Sequence, residues 1–146
     1  MKRIIKLFLR LAISAGFLSA SADRFGLWPE NDSSWGNWNS FLEYTEIVNP
    51  WFPISFIPTL AVVVTALEII FALFLLIGYK TELFARLSGI LLLLFALSMT
   101  FSTGIKGVLD FSVFSAAAAA FALSLMRRKY LEIDSVLKKK NKYYKY

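Results

Sequence analysis

The segment LAVVVTALEIIFALFLLIG, residues 60–78, decides the fold class of this chain. A helix needs about 20 mostly apolar residues to cross a hydrocarbon core of roughly 30 Å, and this segment meets that requirement. Near its middle it carries one carboxylate, Glu68. Because an ionisable side chain inside a membrane is costly, such residues usually face the interior of a helix bundle. The segment therefore predicts a membrane-spanning helix with a functional candidate at Glu68.

Apolar segments of similar length recur along the chain. We predict four spans, at residues 4–22, 55–78, 83–102 and 108–126. Of the 146 residues, 58% are hydrophobic and 18% are charged, which is typical of an integral membrane protein and too apolar for a soluble domain of this size. We therefore expect an all-α fold, an integral membrane four-helix bundle that forms a single domain over residues 1–146.

Basic residues cluster at three places that flank the predicted spans. They are Lys2, Arg3 and Lys6 at the amino end, Lys80 and Arg86 after span two, and Arg127, Arg128, Lys129, Lys138, Lys139, Lys140, Lys142 and Lys145 in the tail. Since short cytoplasmic segments carry excess Lys and Arg, we predict a multi-pass protein of the bacterial cytoplasmic (inner) membrane. Both termini, including a basic tail at residues 127–146, are expected in the cytoplasm. The net charge of +6 lies at membrane flanks, which favours contact with the lipid bilayer and not with nucleic acid.

The amino-terminal segment has a second interpretation, as a cleaved secretory signal. A basic start, an apolar run and the small residues Ala20, Ser21 and Ala22 fit that pattern. Arg10, however, interrupts the apolar centre, and the run has the length of a span. We therefore expect span one to be retained.

The residue types that are missing restrict the chemistry. The sequence has no cysteine and no histidine. These 146 residues alone therefore cannot form a disulfide, exchange thiols, hold an iron–sulfur cluster or ligate haem or zinc through imidazole. We predict no catalytic residue, no metal ligand, and no cofactor bound covalently or by metal ligation.

All four tryptophans lie in the loop that follows span one, at Trp28, Trp35, Trp38 and Trp51. Within this loop, apolar residues from Trp35 onward follow a helical period as far as Asn49-Pro50. We predict a short amphipathic helix on the outer surface of the membrane. Two roles stay open for it, because indole rings favour the headgroup depth but also close ligand pockets: a membrane anchor, or a lid over a pocket between the spans.

Span one carries two distinct patterns. Ala12, Gly16 and Ala20 recur every four residues, a spacing that favours close contact between helices. Polar residues at 10, 14, 21 and 24 share another face of the same helix. Such a stripe inside a bundle can guide a proton or hold a polar headgroup. At its outer end we predict a polar cluster, which would consist of Asp23, Arg24, Lys106 and Asp110.

Arg10 is the expected partner of Glu68. At about 1.5 Å per residue, the two lie roughly 9 Å apart along the bundle axis, which two extended side chains can bridge. One alternative is that Arg10 reaches the cytoplasmic headgroups while a protonated Glu68 hydrogen-bonds to Thr65 or to a backbone carbonyl. Another is that Glu68 pairs with a different residue.

The order of these features resembles the DoxX family of small bacterial four-helix membrane proteins. The residues that carry the resemblance are RLAISAGFLSASADRFG at 10–26, the aromatic loop, LEIIFALFLLIGYKTELFARLSGILLLLFALSM at 67–99 and LEID at 131–134. Members of this family look like membrane subunits of oxidoreductase assemblies, including thiosulfate:quinone oxidoreductase and an oxidative-stress complex with a sulfurtransferase and superoxide dismutase. The cysteine of some members is absent here, which weighs against a direct thiol role.

The resemblance implies a membrane subunit of a quinone-linked or oxidative-stress redox assembly. On this interpretation the isolated chain is not an enzyme. The candidate ligand is a quinone, and the candidate partner is a redox protein. Whether the chain forms a homo-oligomer stays open. The alternative is a non-enzymatic membrane scaffold, or a carrier for a lipid-like small molecule, in which the Arg10–Glu68 pair is structural.

Overall fold

The computed structural model describes residues 1–135, and within that range the chain is all-helical, with 78% of residues in helices and no strand. The six α-helices are α1 Lys2–Arg24, α2 Trp38–Val48, α3 Ile57–Ile77, α4 Thr81–Thr103, α5 Ile105–Asp110 and α6 Val113–Ser124. Two short 3₁₀ turns, Glu30–Asp32 and Ile54–Phe56, lie in the connection between α1 and α3. The prediction of an all-α fold is therefore confirmed for residues 1–135.

Three helical segments of the described chain are long and apolar enough to cross a membrane, namely Lys2–Arg24, Ile54–Ile77 and Thr81–Thr103. They coincide with the first three predicted spans. Their length and composition indicate a multi-pass membrane protein built as a helical bundle. The helix α2 caps one end of this bundle, here called the α2 end; the turn between α3 and α4 marks the opposite end, here called the Gly78 end.

The segment predicted as span four, residues 108–126, is not one continuous helix. It is divided into α5 and α6 at Phe111 and Ser112, where Ser112 adopts a left-handed backbone conformation with φ 57°. α6 has 12 residues, which correspond to about 18 Å of helix and are too short to span alone. The apolar composition of the segment gave no sign of this break.

The helices pack in two tight pairs, α4 on α6 and α1 on α3. Between α4 and α6 the contact depends on Gly89, because a Cβ atom at this position would lie 2.8 Å from the ring of Phe121. Alanines on both helices, including Ala85 and Ala120, are fully buried beside this contact. Small residues thus allow the two helices to approach closely.

The contact between α1 and α3 is different from the one predicted. Gly16 is exposed, with no atom within 4 Å of a Cβ built at this position, and Ala12 is exposed as well. The face of α1 that packs on α3 carries buried polar residues instead, among them Ser14, whose hydroxyl donates to the Ala72 carbonyl at 3.0 Å. The prediction that the small residues of span one form the helix contact is therefore wrong within this chain.

Candidate functional site

A buried ion pair joins the end of α1 to the middle of α3. Arg24 Nη1 donates to Glu68 Oε2, and Nη2 donates to Oε1 at 3.1 Å. Nη1 also donates to Thr65 Oγ1 at 2.7 Å. Arg24 is 3% exposed and Glu68 is 2% exposed. This two-pronged arrangement is the strong form of a guanidinium–carboxylate contact, since it fixes geometry as well as charge.

The predicted partner of Glu68 is therefore wrong, because Arg10 is engaged elsewhere. Its Nε and Nη2 donate to the carbonyls of Leu75 and Leu76, both at 2.8 Å, and its Nη1 donates to those of Tyr130 and Leu131 at 3.0 and 2.9 Å. Carbonyls in the last turn of a helix have no partner within the helix, so Arg10 caps the end of α3. Since Arg10 is 1% exposed, it does not extend to headgroups either, and that alternative is also wrong.

Two aromatic rings cover the Arg24 guanidinium from the α2 end. Its central carbon lies 4.0 Å from the ring centre of Phe41 and 5.3 Å from that of Trp35, distances within the range of a cation–π contact. The two rings meet edge to face at 5.2 Å. The helix α2, together with the loop before it, thus forms a cover over the ion pair.

Asp23 holds this cover in place. Its carboxylate accepts a hydrogen bond from the Ser33 hydroxyl and further bonds from the backbone N–H groups of Ser34, Trp35 and Gly36 at 2.9, 3.1 and 3.2 Å. The adjacent residues of α1 therefore have separate roles, because Asp23 fixes the loop that carries Trp35 while Arg24 pairs with Glu68. The sequence analysis predicted that both residues belong to one polar cluster, and it did not distinguish these two roles.

The other two members of the predicted cluster lie apart from this site. Lys106 and Asp110 form an ion pair with each other, one turn apart on α5, and their side chains are 86% and 57% exposed. Residues four apart on a helix are neighbours, so each satisfies the other locally. The structure therefore contradicts the predicted cluster of Asp23, Arg24, Lys106 and Asp110.

The four tryptophans lie in different surroundings. Trp35 packs on Phe41, as described, and Trp38 contacts Phe41 with ring centres 5.6 Å apart and stacks on Phe25 with ring centres 6.0 Å apart. Trp28 and Trp51 are 44% and 53% exposed, and the Trp28 indole donates to the carbonyl of Ser19 at 3.2 Å. The cover over the ion pair thus involves Trp35, whereas Trp28 and Trp51 present indole surface outward.

Two polar atoms next to the ion pair are buried and have no hydrogen-bond partner within the described chain: Arg24 Nε and Ser21 Oγ. Ser21 precedes Arg24 by one helical turn, on the same face of α1. A buried N–H or O–H without a partner costs about 1–3 kcal/mol. Arg24 Nε and Ser21 Oγ are thus two unpaired donors on one buried face of α1.

A second buried ion pair lies at the Gly78 end and was not anticipated from the sequence. Lys6 Nζ is 2.6 Å from Glu132 Oε1, and both side chains are 1% exposed. Lys6 also donates to the Arg128 carbonyl at 3.1 Å, and Asp134 accepts from the backbone N–H of Lys80 and from Lys129 Nζ.

Part of the predicted basic tail therefore packs against the bundle. Residues 127–135 close the Gly78 end, where they meet the Lys6 and Arg10 side chains. The remainder of the tail, with Lys138 to Lys145, lies outside the described residues. The LEID motif carries part of the family resemblance, but the apolar spacing of this segment does not indicate that the Glu132 carboxylate is buried.

No group of three or more acidic side chains within residues 1–135 is arranged to hold a metal ion. When the chain is compared with known proteins, no family model, no curated protein and no solved structure matches it.

Proposed function

We propose that this chain is a four-span protein of the bacterial inner membrane. The spans would be α1, α3, α4 and the combined α5–α6 segment, with both termini in the cytoplasm and α2 at the outer surface. The basic residues support this orientation, because Lys2, Arg3, Lys80 and Arg127 all flank the Gly78 end or the ends of the chain. In this arrangement Arg24 and Glu68 lie toward the outer side of the membrane, under α2.

Within that membrane arrangement, the Arg24–Glu68 site is proposed to receive the polar head of a quinone-like hydrophobic molecule. The observation that carries this proposal is the pair of unpartnered donors, Arg24 Nε and Ser21 Oγ, beside a buried carboxylate. A quinone carbonyl accepts hydrogen bonds from such donors, and a carboxylate can exchange the proton that quinone reduction requires. The rings of Trp35 and Phe41 would offer stacking surface to the flat head.

The chain would act as a membrane subunit and not as an enzyme on its own. Quinone reduction needs an electron donor, and the sequence has no cysteine or histidine to hold a metal or cluster for that purpose. A partner protein with its own redox centre would supply the electrons. This assignment is consistent with the DoxX resemblance.

Binding can be measured through the fluorescence of Trp35. In a variant that keeps Trp35 while Trp28, Trp38 and Trp51 are Phe, a short-chain alkylated benzoquinone should quench the emission saturably. Ser21→Ala should weaken that binding several-fold, because it removes one donor. Its matched control is Ser88→Ala, which removes another buried, unpartnered hydroxyl, on α4.

The two serine variants separate a ligand site from a purely structural pair. Removal of an unpartnered buried hydroxyl should leave stability unchanged or higher in both variants. Weaker quenching in Ser21→Ala alone supports the proposal. Equal quenching in both variants, or no saturable quenching of the parent protein, rules it out.

One observation favours the alternative, a scaffold or lipid carrier with a structural ion pair. Both oxygens of Glu68 are already held by Arg24, and Thr65 completes the contact, so the carboxylate needs no ligand. Purification in mild detergent followed by mass spectrometry distinguishes the two functions. A co-purified quinone or redox enzyme supports the first, and phospholipid alone supports the second.

A further inference from the structure

A groove of about 460 Å³ opens at the α2 end, away from the Arg24–Glu68 pair. One wall is the exposed face of α2, with Glu43, Glu46 and Ile47; the other wall includes Phe52 and Ile54. Acidic and apolar groups thus face the same space. The groove therefore has the two-sided chemistry of a site for an amphipathic molecule.

The carboxylates of Glu43 and Glu46 have no cationic partner within residues 1–135. Both side chains are exposed and take part in none of the ion pairs of this range. Arg24 is the one basic residue between positions 23 and 58 of the sequence, and it is buried against Glu68. Two carboxylates one turn apart therefore present unbalanced negative charge, which a cation from outside the chain would balance.

The apolar wall of the groove belongs to the end of a candidate span. The span begins at Ile54, which is 71% exposed. Neighbouring aromatic residues, Trp51 and Phe56, are also exposed, and aromatic side chains favour the boundary between headgroups and hydrocarbon. If α3 spans the bilayer, the groove lies where headgroups meet acyl chains.

The groove is fixed in shape by Asn49 at the end of α2. Its Nδ2 donates to the Thr45 carbonyl at 2.8 Å, and its Oδ1 lies 2.7 Å from the hydroxyl of Ser98 on α4. A turn closes next to it, with the Phe52 N–H donating to the Asn49 carbonyl at 3.0 Å. Because Asn49 is engaged on both sides, the groove is pre-formed and polar recognition falls to the two glutamates.

We propose that this groove binds an amine-bearing phospholipid, of the ethanolamine headgroup type. The primary ammonium would lie between the carboxylates of Glu43 and Glu46, and the start of an acyl chain would contact Phe52 and Ile54. A lipid satisfies both walls at once, whereas a free cation would leave the apolar wall unused. The site is separate from Arg24 and Glu68, so the quinone proposal and this one can fail independently.

The test is native mass spectrometry of the detergent-solubilised full chain, titrated with ethanolamine, choline and glycerol phospholipids of identical acyl chains. The wild type should bind the ethanolamine lipid at least threefold more tightly than either of the others. In Glu43→Gln/Glu46→Gln this preference should disappear. The matched control, Glu30→Gln/Asp32→Asn, removes two exposed acids that lie outside the groove and should keep the preference.

Each outcome decides the proposal. Equal affinity of the wild type for all three lipids, or an unchanged preference in the Glu43/Glu46 variant, overturns it. An excess of basic peptide that binds the wild type in place of lipid would also overturn it and indicate a protein partner. A supporting ethanolamine preference should weaken as salt is raised, since the carboxylates are exposed.

Discussion

Arg24 and Glu68, 44 residues apart in the sequence, form a buried two-pronged ion pair between α1 and α3. A guanidinium at the end of one candidate span thus meets a carboxylate in the middle of the next. The pair links the cover formed by α2 to the body of the bundle, because the same guanidinium touches Phe41 and Trp35. Stability and any ligand chemistry at this ion pair therefore depend on the same side chain.

A double-mutant cycle should show strong coupling across this pair. Glu68→Gln or Arg24→Met alone leaves a buried partner unpaired and should cost about 3–5 kcal/mol of unfolding free energy, whereas the double variant should cost much less. Thermal or denaturant unfolding in detergent provides the measurement. The exposed pair is the control, since Lys106→Gln/Asp110→Asn should have little effect. Additive single effects at Arg24 and Glu68 would contradict the pairing.

Two glycines in α-helices provide a matched test of the helix contacts. Gly89→Ala should destabilise the protein by about 1–3 kcal/mol, because the new methyl group would meet the Phe121 ring. Gly16→Ala has open space around it and should stabilise by about 0.5–1 kcal/mol through helix propensity. Unfolding in detergent measures both. A destabilising Gly16→Ala would mean that this face of α1 is covered in the protein's working state.

A second pair of glycines tests how residues 127–135 are held. Gly78 and Gly104 both have positive φ, 70° and 94°, so Ala at either position costs about 1–3 kcal/mol in backbone strain. At Gly78 the Cβ would also lie 2.7 Å from Arg10 Nη2 and from the Glu132 backbone, whereas at Gly104 nothing lies within 4 Å. Gly78→Ala should therefore displace the segment, and trypsin should cut at Arg127 and Arg128 faster than in Gly104→Ala. Equal cleavage rates would show that the segment is not fixed by this contact.

The helical class and three of the long helices could be predicted from apolar segment length, because a span of about 20 residues leaves a strong signal. Glu68 was also correctly expected to face the inside of the bundle. The partner of Glu68 was predicted wrongly. The predicted separation of Arg10 and Glu68 along the bundle axis, roughly 9 Å, nevertheless agrees with the structure, because Arg10 lies level with Leu75, seven residues or about 10 Å from Glu68. Nearer backbone carbonyls satisfy Arg10, and periodicity does not reveal such acceptors.

The polar face of α1 shows the same limit. Arg10 and Arg24 are 14 residues apart and share one face of the helix, yet the sequence analysis favoured Arg10 as the partner of Glu68 and assigned Arg24 to the outer polar cluster. The choice depends on how α1 is shifted along α3, which tertiary contacts decide. The prediction from the small residues of α1 was wrong for a related reason. Their spacing shows that this surface of the helix is suited to close packing, but it does not show that the helix packs through this surface.

Topology can be tested with reporters that are active only outside the cytoplasm. A fusion after Tyr146 should be silent, and an insertion within α2 between Trp38 and Val48 should be active, because the basic residues that flank the spans predict that both termini face the cytoplasm. A cytoplasmic reporter provides the complementary control and should give the opposite pattern. Activity after Tyr146 with silence in α2 would reverse the proposed orientation.

Asp23 tests whether the loop before α2 holds the cover over Arg24. Asp23→Ala removes the acceptor for the Ser33 hydroxyl and for the N–H groups of Ser34, Trp35 and Gly36, and the loss of such charge-assisted bonds should cost about 2–3 kcal/mol. In the protein whose sole tryptophan is Trp35, emission should shift to longer wavelength as the ring leaves the guanidinium and meets water. Protease access to residues 31–37 should rise in parallel. The control is Asp32→Ala, which removes an exposed acid of the same loop and should change neither signal; if the two variants behave alike, the carboxylate of Asp23 does not hold the cover.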